Sequence, residues 1–258
     1  MKEAKELLVA ENVSEVFGGL KAVADFNFYI KQGELVGLIG PNGAGKTTAF
    51  NLFTGVYQPT TGTITFNGRS IVGLKPYQIT QMGIARTFQN IRLFSELTVL
   101  DNVKIAYHSR VKYGLAEAIA RVGRYFGEED KIYDESMRLL KIFKLEQVAG
   151  EMAKNLPYGA QRRLEIARAL ATHPELLLLD EPAAGMNPQE TQELMEMIRW
   201  IRKEFGLTIL LIEHDMSLVM GICERIYVLE YGTVIADGTP EEIKASPQVV
   251  KAYLGEEA

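Results

Sequence analysis

The segment Gly40–Thr47, which reads Gly-Pro-Asn-Gly-Ala-Gly-Lys-Thr, constrains this chain more than any other feature. It matches the pattern G-x-x-x-x-G-K-[ST], in which glycines let backbone N–H groups turn inward around phosphates. Residues 34–39 before it have the pattern of a short buried strand, and 48–54 after it that of a helix. Lys46 can reach the β- and γ-phosphates, and the Thr47 hydroxyl can hold Mg²⁺. The segment therefore predicts a nucleotide-binding strand–loop–helix unit.

Composition narrows the class of protein. The 258 residues are 47 % hydrophobic and 24 % charged, which is typical of a soluble globular protein with one large domain or two small ones. The net charge of −5 argues against nucleic acid as the main partner. A single cysteine, Cys223, stands in an apolar, helix-like stretch and indicates a buried structural thiol. Residues 1–8 do not resemble a signal peptide, and no apolar run is long enough to span a membrane.

The N-terminal part carries strand patterns on both sides of the loop. Phe26, Phe28 and Ile30 alternate with more polar residues, and this period of two predicts an antiparallel strand. Residues 63–66 form a second apolar-alternating run that ends at Asn67-Gly68, which is typical of a tight hairpin turn. We therefore expect an antiparallel β subdomain around the phosphate loop.

The middle of the chain has a different pattern of apolar residues. Helical spacing runs through 97–107, 115–125 and 132–143, and the polar run 127–130 indicates an exposed break between helices. We interpret about 89–157 as a helical subdomain inserted into an α/β core.

The C-terminal part returns to alternating helices and strands. The run Leu176–Leu179 is apolar on both faces, as in a parallel sheet. The predicted elements are a helix at 160–172, a strand at 176–179, a helix at 189–205, a strand at 207–212, a hairpin of 225–229 with 233–236, and a helical tail at 240–254. The fold class is therefore α/β: a nucleotide-binding core with a mostly parallel sheet, an antiparallel β subdomain and a helical insert.

Two adjacent acids follow the apolar strand 176–179. Asp180, at the end of a buried strand beside a phosphate loop, is placed to meet Mg²⁺ through Thr47 or water. Glu181 can orient or deprotonate an attacking water. The pair alone is equally consistent with solvated acids at a strand end, and the phosphate loop favours the catalytic interpretation.

The order of five features along the chain carries a family resemblance. Five features occur in the order found in the ATP-binding subunits of ABC transporters: the phosphate loop, Gln89, the segment 156–161, the pair Asp180-Glu181 and His214. The chain resembles that family over nearly its whole length. The resemblance implies a single ATP-binding domain over 1–258 with ATP and Mg²⁺ as its ligands.

The resemblance also assigns roles to individual residues. It implies that Phe17 stacks on adenine, that Gln89 contacts Mg²⁺ and senses the transmembrane partner, and that His214 acts as a switch near the γ-phosphate. The nucleotide-binding residues it implies are Phe17, Gly40, Pro41, Asn42, Gly43, Ala44, Gly45, Lys46, Thr47, Thr48, Pro157, Tyr158, Gly159, Ala160 and Gln161. The catalytic residues are Glu181, His214, Gln89 and Lys46, and the metal-associated ones are Thr47, Gln89 and Asp180.

Two departures from the family pattern are present. The usual signature is Leu-Ser-Gly-Gly-Gln, and here Pro157 and Tyr158 replace its Ser and first Gly. Backbone N–H groups around Gly159 and Ala160 must then carry more of the contact with the γ-phosphate of the opposite subunit. Asn187 stands where an Asp is commoner in the family.

These departures resemble one subgroup. The segments 156–168 and 85–94, with the long insert at 107–135, are similar to the ATP-binding subunits of branched-chain amino-acid importers of the LivG type. That resemblance implies a head-to-tail dimer with a second ATP-binding subunit (a paralogue or a second copy), integral membrane permeases and an external solute-binding protein. It implies a peripheral location on the cytoplasmic face of the membrane, and no residue of this chain would touch the cargo.

A small apolar set after Gln89 has two interpretations. Ile91, Leu93, Phe94 and Leu97 can either dock a permease or belong to the core of the helical insert.

Three alternatives share the phosphate loop. The first is an ABC ATPase for another cargo, which would carry the same catalytic residues. The second is a soluble ABC ATPase of DNA repair or translation, which usually has two cassettes, a long coiled coil or a basic surface. The third is a phosphate-loop kinase or GTPase, which has no use for the signature segment, and the Asn-Lys-x-Asp of a GTPase is absent from the sequence.

Overall fold

The computed structural model describes residues 5–108, 111 and 114–254. Two segments interpreted from the sequence lie partly outside the described residues: the segment 1–8 in its first four residues, and the insert at residues 109, 110, 112 and 113. The chain divides into two compact units, one formed by Met1–Arg86 with Glu175–Ala258 and the other by Thr87–Pro174.

Helices and strands follow one another along the described chain without strict alternation. In order they are β1 (Glu6–Phe17), β2 (Leu20–Lys31), β3 (Leu35–Ile39), α1 (Lys46–Phe53), β4 (Thr61–Phe66), β5 (Arg69–Ser70), α2 (Pro76–Met82), β6 (Ile84–Arg86), α3 (Val99–Tyr107), α4 (Leu115–Ala120), α5 (Tyr125–Ile142), α6 (Tyr158–Leu170), β7 (Leu176–Asp180), α7 (Pro188–Phe205), β8 (Thr208–Ile212), α8 (Met216–Ile222), β9 (Arg225–Glu230), β10 (Thr233–Gly238), α9 (Pro240–Ala245) and α10 (Pro247–Leu254).

The first unit contains an antiparallel sheet in the order β2-β1-β4-β5. The predicted alternation in β2 is confirmed, because Phe26, Phe28 and Ile30 are buried while the residues between them are more exposed. The predicted turn at Asn67-Gly68 is also confirmed, and both residues have positive φ, as a two-residue hairpin turn requires.

The second sheet of the first unit has the order β10-β9-β3-β8-β7-β6. All its neighbouring pairs are parallel except β9 with β10, which form the predicted hairpin. Strands β3, β7 and β8 are buried along their whole length, which confirms the parallel-sheet prediction from their continuous apolar runs. The carboxyl ends of β3, β8 and β7 therefore lie side by side, about 4.8 Å apart from strand to strand.

An aromatic core fixes helix α1 beneath the antiparallel sheet. The ring of Phe53 in α1 lies 5.4 Å from that of Phe28, and Phe28 lies 4.7 Å from Tyr227 of β9. Burying each of these rings stabilises the unit by about 1.5–3 kcal/mol. The position of α1, and hence of the loop before it, is set by both sheets.

The second unit is helical, and α3 packs against both α5 and α6. Two expectations need correction here. The predicted break at 127–130 is wrong, because these residues lie in the first turns of α5, which continues and buries Ile132, Leu139 and Leu140. Helix α6 begins at Tyr158, two residues earlier than predicted, because Pro157 has the extended geometry of a helix N-cap.

The compact units divide after Arg86 and Pro174, whereas the sequence pattern placed the insert at about 89–157. The difference arises because α6 packs on α3 and α5 and so belongs with the second unit. The expected helical tail forms two helices, α9 and α10, interrupted at Ser246-Pro247. Within the described ranges, no helix combines the length and the apolar character needed to cross a bilayer.

Candidate active site

The loop at the end of β3 has a backbone path that only glycine permits at two positions. Gly40 has φ 150°, and a Cβ there would lie 2.1 Å from the carbonyl oxygen of Leu229. Gly45 has φ 101°, and a Cβ there would lie 2.5 Å from the carbonyl oxygen of Ala22. The loop is therefore held between β9 and β2, and its shape depends on the absence of two side chains.

Lys46 begins α1 and turns its side chain back into this loop. Its Nζ donates hydrogen bonds to the carbonyl oxygens of Gly40 (2.7 Å) and Pro41 (2.9 Å), and the residue is buried. An ammonium in this place, together with the first N–H groups of α1, makes a strongly positive anion site. Thr47 is exposed and Thr48 half-buried in the same helical turn.

Open space lies on the outer side of the loop. A cavity of about 510 Å³ is lined by residues 41–44 on one side and by Glu230, Tyr231 and Lys251 on the other. An added Cβ on Gly43 would meet nothing within 4 Å. The loop N–H groups can therefore be approached by a ligand of substantial size.

Phe17 lies at the end of β1, where the hairpin turns into β2. The ring is 42 % exposed and makes an edge-to-face contact with Tyr57, with ring centroids 5.1 Å apart. The same hairpin supplies Ala22, which contacts the loop at Gly45. Phe17 thus presents an aromatic surface on the hairpin that adjoins the phosphate loop. Tyr57 has no motif around it and was not predicted.

Asp180 ends β7 with a carboxylate in an ion pair. Its Oδ2 lies 2.7 Å from the guanidinium of Arg86, and both side chains are 6 % exposed. Arg86 also donates to Oδ1 of Asn51, in α1, at 2.7 Å. Arg86 therefore joins β7, β6 and α1 and counters the charge of Asp180.

Glu181 and His214 are brought into direct contact. Oε1 of Glu181 lies 2.7 Å from Nε2 of His214, although the residues are 33 positions apart in the sequence. The backbone of Glu181 has φ 45°, an uncommon value for a residue with a side chain, and its N–H donates to the carbonyl oxygen of Ile212. This backbone turn directs the carboxylate toward the end of β8, where His214 lies.

A third acid, Glu213, was missed by the sequence reasoning. Its carboxylate is buried and accepts hydrogen bonds from the N–H groups of Ala183 (2.7 Å), His214 (3.0 Å) and Asp215 (3.4 Å). Burial raises the pKa of the Glu213 carboxyl and the nearby charge of Glu181 adds to the rise, while the three N–H groups oppose it. The one sequence signal is its place directly after the apolar strand β8.

Gln89 and the segment 157–161 belong to the second unit, and a buried ion pair connects them there. Arg162 donates to the carbonyl oxygens of Phe88 (2.7 Å) and Gln89 (2.9 Å) and is paired with Glu165 at 2.8 Å. Glu165 in turn accepts from the N–H groups of Phe88 and Arg92. Helix α6 thereby holds the backbone of 88–92 through two charged residues to which the sequence assigned no individual role.

Within this unit, the predicted signature residues occupy the first turn of α6. The N–H groups of this turn include several without helical partners, as at any helix N-terminus. Gln161 bends its side chain back to donate to the carbonyl oxygen of Leu156 at 2.8 Å, and Tyr158 contacts Arg162 through its hydroxyl.

Residues 23–184 match the family profile described as "ABC transporter". The chain belongs to the ABC transporter family. A second profile, "Branched-chain amino acid ATP-binding cassette transporter", matches residues 233–258. The predicted family and fold class are thereby confirmed, and the chain is an ATP-binding cassette.

Curated relatives extend the match over nearly the whole chain. The high-affinity branched-chain amino acid transport ATP-binding protein LivG of Salmonella typhimurium is 50 % identical over 98 % of this chain and 99 % of its own length. The corresponding protein BraF of Pseudomonas aeruginosa is 44 % identical over the same shares.

Solved structures agree with this assignment. The ADP conformation of MJ1267, an ATP-binding cassette of an ABC transporter, superposes with a TM-score of 0.84 at 29 % identity, covering 97 % of this chain and 99 % of that one. A dimeric, post-hydrolysis state of the cassette MJ0796 bound to ADP and Pi gives a TM-score of 0.76 at 26 % identity, covering 91 % and 99 %.

The side chains at the end of the parallel sheet suit a magnesium nucleotide. Mg²⁺ prefers hard oxygen ligands and usually keeps waters while binding one or two carboxylates and phosphate oxygens. Asp180 supplies a carboxylate and Thr47 an exposed hydroxyl in the cassette's phosphate-loop helix. The donor set fits the ion, and the ion pair with Arg86 holds the Asp180 side chain in place.

Asn187, the second departure from the family pattern, has a local structural task in this cassette. Its side chain accepts a hydrogen bond from the N–H of Glu190, and Glu190 reaches back to the N–H of Asn187. This reciprocal capping box starts helix α7 and stabilises it by about 1 kcal/mol.

Proposed function

We propose that this chain binds and hydrolyses ATP to power an ABC importer of branched-chain amino acids. The observation that carries the proposal is the 2.7 Å contact of Glu181 with His214 at the carboxyl ends of β7 and β8, and β8 is a direct neighbour of the phosphate-loop strand β3. Ligands of open α/β sheets bind at this edge. The cargo is proposed from the relatives, which are named for branched-chain amino acid transport.

The residues of the first unit divide the chemistry among them. Lys46 and the loop N–H groups hold the β- and γ-phosphates, and Phe17 stacks on adenine. Glu181 accepts a proton from the attacking water or orients it, and His214 positions the γ-phosphate. Thr47 and Asp180 would hold Mg²⁺, which would supply charge neutralisation at the phosphates. Gln89 is proposed for contact with Mg²⁺ and water because the family resemblance gives it that role.

A second ATP-binding subunit completes the proposed site. In a head-to-tail dimer, the first turn of α6 from one subunit would face the nucleotide bound by the other, so that ATP joins two positive helix ends. Hydrolysis removes that link, and the different affinity of ATP for the closed and open dimers drives the change. The dimeric state of a related cassette with ADP and Pi supports this arrangement.

Membrane partners are proposed for the helical unit. Phe94 is 49 % exposed and lies against Arg168, with the guanidinium 5.4 Å from the ring centroid. With the half-buried Ile91 and Leu93 it offers an apolar surface for an integral permease at the cytoplasmic face of the membrane. An external solute-binding protein would contact only the permeases.

The decisive test uses Glu181→Gln. We expect the variant to bind ATP with wild-type affinity and to lose about 100- to 10,000-fold in turnover, because only the proton acceptor is removed. Glu196→Gln, the same change on the exposed face of α7, is the matched control and should keep wild-type turnover.

The same variant also tests the partners. In a pull-down from native membranes with ATP, the Glu181→Gln variant should retain two integral permeases and a related ATP-binding subunit. Leucine uptake should depend on the wild-type chain. Wild-type turnover by Glu181→Gln would remove Glu181 from catalysis. Capture of ribosomal or DNA-associated proteins alone would contradict the transporter function while leaving the ATPase site intact.

A further inference from the structure

The carboxylate of Glu213 joins two loops that carry different members of the site. Ala183, which donates to one of its oxygens, lies two residues after Glu181. His214 and Asp215, which donate to the other, lie in the loop after β8. One buried side chain is thus hydrogen-bonded to the loop of Glu181 and to the backbone of His214.

A charge in this place is costly without partners. Taking a carboxylate out of water is strongly unfavourable unless several donors replace the lost water molecules. Three backbone N–H groups do so here, at 2.7, 3.0 and 3.4 Å. The arrangement therefore depends on both loops being held where their N–H groups converge, and any separation of the loops breaks hydrogen bonds to a buried charge.

We propose that Glu213 is a positioning residue, which sets the distance between Glu181 and His214 for hydrolysis. The proposal rests on the function proposed above and adds Glu213 to the residues of that site. The Glu181–His214 contact is part-exposed, with 45 % of the histidine side chain accessible, and so is weakly held on its own. Glu213 supplies the buried anchor behind it.

Glu213→Gln tests the anchor with almost no change in size. An amide has one acceptor oxygen, so its NH₂ group must face an N–H on one side. One of the two loops is then released. We expect kcat for ATP to fall about 10- to 100-fold, as a small misplacement of catalytic groups does. KM should stay within about twofold, since the phosphate loop binds the nucleotide.

Glu34→Gln is the matched control. Glu34 also accepts a backbone N–H, that of Lys31 at 2.6 Å, but it lies before the amino end of β3, opposite the phosphate loop. The Glu34→Gln variant should keep wild-type kcat.

A double-mutant cycle with His214→Ala separates positioning from general destabilisation. In the His214→Ala variant, adding Glu213→Gln should lower kcat by less than about threefold, because the effect of Glu213 acts through His214 and Glu181.

A spectroscopic measurement makes the test independent of turnover. The sequence has three histidines, so the imidazole resonances can be assigned by NMR. Those of His214 should shift in Glu213→Gln, whereas those of His108 and His173 in the helical unit should not. Unchanged His214 resonances, or an undiminished loss of kcat on the His214→Ala background, would overturn the proposal. Absence of ATP turnover in the wild type would instead count against the proposed function, and the NMR result would still decide the role of Glu213.

Discussion

The buried ion pair of Arg162 and Glu165 should contribute strongly to the stability of the helical unit. Replacing the arginine should cost more stability than replacing the glutamate. Arg162 is 0 % and Glu165 1 % exposed, and their side chains lie 2.8 Å apart. The perturbation is Arg162→Met, which keeps the aliphatic length and removes the charge. It leaves the Glu165 carboxylate with N–H partners at 3.3 and 3.4 Å, both long for charged hydrogen bonds.

Removing one partner of a buried ion pair typically costs about 3–5 kcal/mol, because the remaining charge is uncompensated. We expect this loss in the free energy of unfolding for Arg162→Met. Glu165→Gln should cost less, about 1–3 kcal/mol, because Arg162 keeps the carbonyl oxygens of Phe88 and Gln89 as partners. The ranking follows from the number and length of the hydrogen bonds that survive each change.

Urea unfolding followed by circular dichroism measures both losses. The matched control is Arg138→Met on α5, which breaks an i,i+3 Arg–Glu pair of the same chemistry at the surface, where the arginine side chain is 58 % exposed. That variant should lose less than about 1 kcal/mol. A loss below about 1 kcal/mol for Arg162→Met, or a larger loss for Glu165→Gln, would refute the reasoning.

Two further predictions concern the first unit. Phe17→Ala should weaken ATP binding about 5- to 10-fold, because stacking on adenine is lost. Calorimetry should show that the binding of inorganic triphosphate is unchanged. If the binding of both ligands weakens equally, Phe17 is not the stacking residue. Cys223 follows the end of α8, not within it as predicted, and is buried against Gly37. Burial raises the pKa of its thiol, as does the charge of Glu224, so the protonated form persists. At about pH 8 a maleimide should label it only after unfolding, and equally fast labelling of the folded protein would contradict this packing.

Features with a local pattern could be predicted from the sequence. The alternation of Phe26, Phe28 and Ile30 predicted a half-buried antiparallel strand, because side chains in a strand point to opposite faces with a period of two. The run Leu176–Leu179 predicted a strand covered on both faces. The phosphate loop was readable because its glycines, lysine and threonine act within eight consecutive residues.

Local patterns failed where tertiary packing decides between similar local structures. Residues 127–130 are polar and contain a glycine, yet they continue into α5, because the apolar face beyond them gains burial against α3. Strand β6 is only three residues long and depends on its parallel partner β7, so its sequence carries too little periodicity to be recognised.

The sequence by itself determined the nucleotide-binding loop, the order of the catalytic candidates and the alternation of helices and strands, because each is encoded in spacing over a few residues. Only the tertiary structure decided which distant groups meet. Glu181 reaches His214 across 33 positions, and Glu165 reaches Phe88 across 77. Glu213 and Glu165 have the same letter as a solvated acid, and each is completed by a distant donor that the fold brings to it: the N–H of Ala183 for Glu213 and the N–H of Phe88 for Glu165.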